Sequence, residues 1–393
     1  MRHPTRMPPF LRVPVLFLAV LGAAGCGSSS SSAVDSPSAL GAFGVGYRSF
    51  TPVDVSRDDR PLLVDVWYPV DLEDAEALSE SPRTSYPLLD PIAALESEVA
   101  LDDAPVSARA GQTLLIFSHG YGGISKQSIG LMEALASHGF VVASPEHTGN
   151  SQFSNDDSFD QAAQNRVPDV TFVIDTMLAR SDDPDDPFFD RLDPARVGVI
   201  GNSFGAMTAI GAAAGWAGAE PDPRVAAIVP ISAVIDGDMQ SDLRTGPNAG
   251  FTPDQLARIE LPVMLIGGTE DINVPIGNNA LAFDQLVNAA AVFKVDIIGA
   301  THTHFANVCD IAELLIDVGF EPEEWALLGA EALEGPYETT CAPDVFPIDE
   351  ATRLQNLFSV AFFKRYLLGE VGYDEFLGVD YADIEPAVTL SVK

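Results

Sequence analysis

Val197-Gly198-Val199-Ile200-Gly201-Asn202-Ser203-Phe204-Gly205-Ala206 carries the architecture of this chain. The first four residues are a short apolar run of strand type. From Ala206 to Ala214 the residues are small and of helical character. A strand that turns sharply into a helix, with a serine between two glycines at the corner, lifts the Ser203 hydroxyl clear of a sheet. Gly201 and Gly205 allow neighbouring elements to approach that corner. The serine also lies near a helix N-terminus, where developing negative charge is favoured.

The same rhythm extends on both sides. Residues 113–117, 140–143, 225–230, 263–266 and 292–298 read as short apolar strands. Helical spacing occupies 127–138, 167–178, 280–290 and 353–368. Alternation of this kind predicts βαβ units: an α/β fold whose mostly parallel central sheet is buried by helices on both faces. Residues 62–68 predict a further strand, stopped by Pro69. Residues 71–111 predict a surface excursion with a short helix near 92–99. Residues 306–349 break the alternation before the last helix and predict a cap-like insertion.

The chain has 393 residues, 47% hydrophobic, enough for one large core. Its formal charge of −36 opposes binding to nucleic acid and speaks to solubility rather than fold. Arg2, Arg6 and Arg12 precede an apolar stretch at 13–24, a signal-peptide pattern over residues 1–25. The sequence Leu21-Gly22-Ala23-Ala24-Gly25-Cys26 resembles a bacterial lipoprotein signal, which implies a lipid on Cys26. Residues 26–42, with a serine run near their start, read as a tether, and 43–393 as the α/β domain. The expected location is exported, lipid-anchored to the cell envelope or secreted. With Cys26 lipidated, Cys309 and Cys341 remain as a pair that an exported chain can join in a disulfide.

Phe117-Ser118-His119-Gly120-Tyr121-Gly122-Gly123 follows the first strand of the alternation. A glycine-rich loop there can aim a backbone N–H at an oxyanion; Tyr121 is the expected donor, with the N–H of Phe204 as the second. His119 lies in that loop and reads as structural. The acid expected to hold a catalytic imidazole is Asp271, just past the strand at 263–266, with Glu270 and Asp236 as rivals. The base is His302 or His304, in Thr301-His302-Thr303-His304-Phe305. In an extended segment both would point the same way, so spacing leaves the choice open. His-x-His also suggests zinc, but no third ligand is evident, and neither metal nor cofactor is called for.

These residues resemble bacterial α/β-hydrolases of the platelet-activating factor acetylhydrolase and predicted dienelactone hydrolase type. The similarity runs from about Gly44 to Phe305. It includes Val64-Asp65-Val66-Trp67-Tyr68-Pro69, Phe117-Ser118-His119-Gly120 and Ser137-His138-Gly139-Phe140-Val141-Val142. It continues through Pro145-Glu146-His147-Thr148-Gly149-Asn150, Asp169-Val170-Thr171-Phe172-Val173-Ile174-Asp175 and the serine corner. The resemblance implies the α/β-hydrolase fold and a Ser203–His302–Asp271 triad, since the family's histidine precedes Phe by three residues, as His302 precedes Phe305. A related pattern, with His directly before Phe, selects His304. Three positions depart from the family: Asn202 replaces a usual His, Ala206 a common glycine, and Ser232 stands where the animal enzymes carry their acid.

The implied activity is hydrolysis of a carboxylic ester, a short-acyl ester or an acetylated phospholipid-like lipid. Membrane contact would come through the N-terminal lipid anchor. A polyester hydrolase, a serine peptidase or amidase, and a non-enzymatic surface lipoprotein are the alternatives.

Overall fold

The structure is a computed structural model, and it describes residues 34–89, 93–109, 111–239, 246 and 248–393. The expectations for the signal segment, Cys26 and the serine run lie outside the described residues.

Ten strands form one sheet. From edge to edge they are Val388–Val392, Val292–Ile297, Val263–Gly268, Val225–Ile231, Leu192–Asn202, Gln112–Ser118, Val141–Pro145, Val64–Val70, Gly44–Phe50 and Ala100–Asp102. The six central strands, from Val292–Ile297 to Val141–Pro145, pair in parallel. The strands Gln112–Ser118 and Val64–Val70 are buried along their whole length. That follows from their near-continuous apolar composition, since a strand covered on both faces has no polar side to show. One large apolar cluster lies on each face of the sheet, the first with Val170, Ile174 and Met207, the second with Met132, Phe358 and Phe362.

The predicted α/β architecture is therefore the observed one, with differences at its margins. The strand at Val64–Val70 passes through Pro69, which pairs with Val45 beside the sheet's antiparallel edge. Proline costs one donor and is tolerated near a strand's end. Of the helix expected near 92–99, the described residues 93–99 show none: Ala93–Glu96 pairs with Ser85–Leu89 as a hairpin. Tyr86 of that hairpin is buried against Tyr47 at 5.0 Å and accepts from Trp67 Nε1 at 2.9 Å. Tertiary packing outweighs the helical preference of the local sequence there. The helix expected at 167–178 is twice as long, Phe159–Asp182, because Ser158 caps it and it continues through Pro168. Gly41, read as part of the tether, donates its N–H to Ser137 Oγ at 2.9 Å.

The insertion at 306–349 contains the helices Val308–Asp317 and Glu334–Thr340. A small core of Ala312, Leu315 and Trp325 holds it together. Cys309 and Cys341 are joined in a disulfide across it.

Candidate active site

Loops at the carboxyl ends of the parallel strands build the site. Ser203 follows Leu192–Asn202 with φ 58° and ψ −117°, a left-handed backbone that a residue with a side chain adopts only under constraint. The surroundings impose it. The Ser203 N–H donates to Ile231 O at 2.8 Å, and the helix Phe204–Ala214 starts at the next residue. A Cβ on Gly205 would collide with the carbonyl of Ser118, and one on Gly201 with the Gly205 main chain, so both positions require glycine. The Phe204 N–H belongs to the first helical turn, whose amides have no partner within the helix.

His302 and Asp271 meet. Nδ1 of His302 donates to Oδ2 of Asp271 at 2.7 Å. Oδ1 of the same carboxylate accepts the N–H groups of Asn273 at 2.9 Å and Val274 at 2.7 Å. The bond places the imidazole proton on Nδ1 and leaves the lone pair on Nε2. Glu270 and Asp236, the rival acids, are exposed.

Residues His302–Phe305 form a 3₁₀ turn rather than an extended segment, so the two histidines diverge. His304 is fully buried. Its Nε2 donates to Phe346 O at 2.7 Å, and its Nδ1 accepts from the Thr301 N–H at 2.9 Å. Burial lowers its pKa.

Ser203 and His302 line one cavity of about 450 Å³. Tyr121, Phe159, Phe204 and Met207 furnish its walls, and Val308, Ile311, Leu314 and Leu315 of the insertion cover it. Among the described lining residues there is no Asp, Glu, Lys or Arg. In a chain of charge −36 that absence is a chemical property of the site.

His119 is structural, as expected. Its Nδ1 donates to Gly120 O at 2.7 Å and its Nε2 accepts from the His147 N–H at 3.1 Å. Burial, then Arg166 and His147, hold its pKa well below the ordinary imidazole range.

Sequence reasoning missed the support behind this loop. Arg166 is completely buried, donating from Nη1 to His119 O at 2.5 Å and Ser118 Oγ at 3.1 Å. From Nη2 it donates to Gly120 O at 2.9 Å and Asn150 Oδ1 at 2.6 Å. Burial pushes its pKa down to about 9. Ser118 Oγ in turn bonds His147 Nε2 at 3.0 Å, and His147 Nδ1 bonds Asp169 at 2.9 Å. Arg60 grips Asp169 with two bonds of 2.9 Å. Burial alone would raise the Asp169 pKa, but the bonds from His147 and Arg60 outweigh it and hold the carboxyl below its usual range. Burial, then Arg166, pushes His147 down to about 3. Arg166 lies inside the helical stretch 159–182, where a sequence reading expects a solvated face; only its position in an otherwise apolar surface of that helix signals it.

Residues 26–183 match the family model of platelet-activating factor acetylhydrolase, isoform II. The match covers the glycine loop and its buried support and ends before Ser203. A solved ferulic acid esterase from Streptomyces cinnamoneus superimposes with a TM-score of 0.57 and 24% identity, over 84% of this chain and 91% of that one. It shares the α/β-hydrolase fold. No curated protein matches the sequence closely enough to count as a relative.

Proposed function

We propose that this chain, an α/β-hydrolase similar to the platelet-activating factor acetylhydrolases, is a serine hydrolase of uncharged carboxylic esters. The observation that supports it is the pairing with Asp271 of His302, which lines the same uncharged cavity as Ser203. In this reading Nε2 of His302 takes the proton of Ser203 as its Oγ attacks the ester carbonyl. The N–H groups of Tyr121 and Phe204 stabilise the tetrahedral oxyanion. The Gly120 N–H is unsuited to that task, being engaged by Gln127 Oε1 at 2.8 Å. Collapse releases the alcohol, protonated by His302. The histidine then deprotonates a water that attacks the acyl-serine and frees the acid. Asp271 fixes the tautomer and offsets the imidazolium charge.

The cavity volume lies toward the lower end of the small-molecule range. It suits a short or medium acyl chain and an uncharged alcohol portion. A charged headgroup, as in an acetylated phospholipid, would remain outside, because burying an unpaired ion is costly. Among the described residues no helix is long and apolar enough to cross a membrane. Membrane contact enters the proposal through a lipid on Cys26, which mass spectrometry of the mature N-terminus tests.

Ser203→Ala should abolish hydrolysis of p-nitrophenyl acetate while preserving the fold. Activity retained by that variant would remove the assignment.

A further inference from the structure

A peptide unit is planar and trans, so its carbonyl and its N–H point in opposite directions. Whatever grips the Gly120 carbonyl therefore decides where the Tyr121 N–H points. That carbonyl accepts from Arg166 Nη2 at 2.9 Å, from His119 Nδ1 at 2.7 Å and from the Gly123 N–H at 3.2 Å. Arg166 Nη1 holds the preceding carbonyl, of His119. The guanidinium carbon also lies 4.8 Å over the ring of Phe204, whose N–H is the second expected oxyanion donor. One buried cation thus touches both halves of the oxyanion pocket from behind.

We infer that Arg166 is the positioning residue of the oxyanion pocket. It keeps the Gly120–Tyr121 peptide with its oxygen turned into the protein and its N–H turned toward the reacting carbonyl. This rests on the reading of Ser203 as nucleophile. Gly120 has no Cβ to resist rotation of that peptide, so the orientation depends on the clamp. A planar fork with several donors can hold two carbonyls and two side-chain oxygens at once, which an ammonium cannot. The guanidinium is itself fixed by the relay Ser118–His147–Asp169, which repeats the Ser–His–Asp order of the cavity triad. All three members are buried and none of them lines the cavity, so this second relay orients Arg166 rather than a substrate.

The test compares Arg166→Gln and Arg166→Lys with the parent on matched oxygen and thiono esters. Asp169 keeps Arg57, Arg60 and His147, so removing Arg166 strands no buried carboxylate, and Arg166→Lys retains the cation. Loss of one oxyanion donor lowers kcat by roughly 10²–10³-fold. Arg166→Gln should approach about 100-fold in kcat and Arg166→Lys less, both with KM within about twofold. A thiocarbonyl sulfur accepts hydrogen bonds weakly, so the oxygen-to-sulfur rate ratio should fall about tenfold in Arg166→Gln. Equal losses on both esters, a change in KM alone, or parental kcat in both variants would overturn the inference. Ser203→Ala separates the two readings: with that variant inactive and both Arg166 variants at parental rates, only the positioning role fails.

Discussion

His304 Nε2 donates to the main-chain oxygen of Phe346 at 2.7 Å, and that bond separates two histidines between which spacing alone did not choose. With its other nitrogen accepting from Thr301, His304 has no ring atom to offer a substrate. His302, two residues earlier, gives one nitrogen to Asp271, and the proposed mechanism uses the other.

The two histidines should therefore respond differently to mutation. His302→Gln is expected to lower kcat by about 10⁴-fold or more at unchanged stability. His304→Gln is expected to keep kcat within several-fold and to cost about 1–3 kcal/mol of folding stability through its unpaired buried partners. Steady-state rates together with urea unfolding check both, and the reverse pattern would exchange their roles.

Asp271→Asn should be nearly as damaging as removal of the base. The Asn oxygen can still accept from Asn273 and Val274, as Oδ1 of Asp271 does, so the loop survives. That orientation presents an NH₂ group to Nδ1 of His302 and reverses the tautomer. A loss of about 10⁴-fold in kcat with intact fluorescence and unfolding is expected. A loss under about tenfold would point to another acid.

The disulfide should matter to the cap rather than to the chemistry. Cys309 and Cys341 are 32 residues apart, a loop whose closure restricts the unfolded insertion by about 3–4 kcal/mol. The helix it anchors, Val308–Asp317, supplies Val308, Ile311, Leu314 and Leu315 to the cavity. Cys309→Ser with Cys341→Ser should raise KM for an apolar ester several-fold and change kcat little. Intrinsic fluorescence of Trp325, buried in the cap, should shift with it. Equal effects on kcat and KM would contradict this division.

Stability should fall with acidification through the buried relay. An unfolded imidazole takes up a proton near pH 6.5, whereas His147 in the folded protein does so only near pH 3. Between those values the unfolded chain binds more protons, so stability is lost as pH falls below about 6.5. His147 alone accounts for about 2 kcal/mol between pH 7 and pH 5. His119, held low by the same burial, acts in the same direction. Glu133 and Asp310, raised by burial, oppose it. Urea unfolding at pH 7 and pH 5 should show a smaller loss in His147→Gln than in the parent. An identical loss in the two proteins would dismiss the relay as the source.

Much of the architecture was legible because local patterns and tertiary requirements agree. Residues 197–214 announce strand, corner and helix, and the glycines at 201 and 205 prove sterically obligatory. The hairpin of Ser85–Leu89 and Ala93–Glu96 was missed because the aromatic pocket that buries Tyr86, made by Tyr47 and Trp67, comes from other segments. The order Ser203, Asp271, His302 could be read off the chain, since each follows an apolar run that becomes a parallel strand.

Composition and periodicity by themselves determined a parallel α/β sheet, a serine at a strained strand–helix corner, a glycine loop beside it and a cysteine pair in an insertion. They could do so because those features depend on residues adjacent in sequence. Tertiary structure alone decided how the two histidines diverge, that the cavity is uncharged, and that Arg166 clamps the loop from behind. These depend on directions and distances between segments tens of residues apart. A hydrogen bond of 2.7 Å from His304 to Phe346, across 42 positions, leaves no trace in the spacing of residues along the chain.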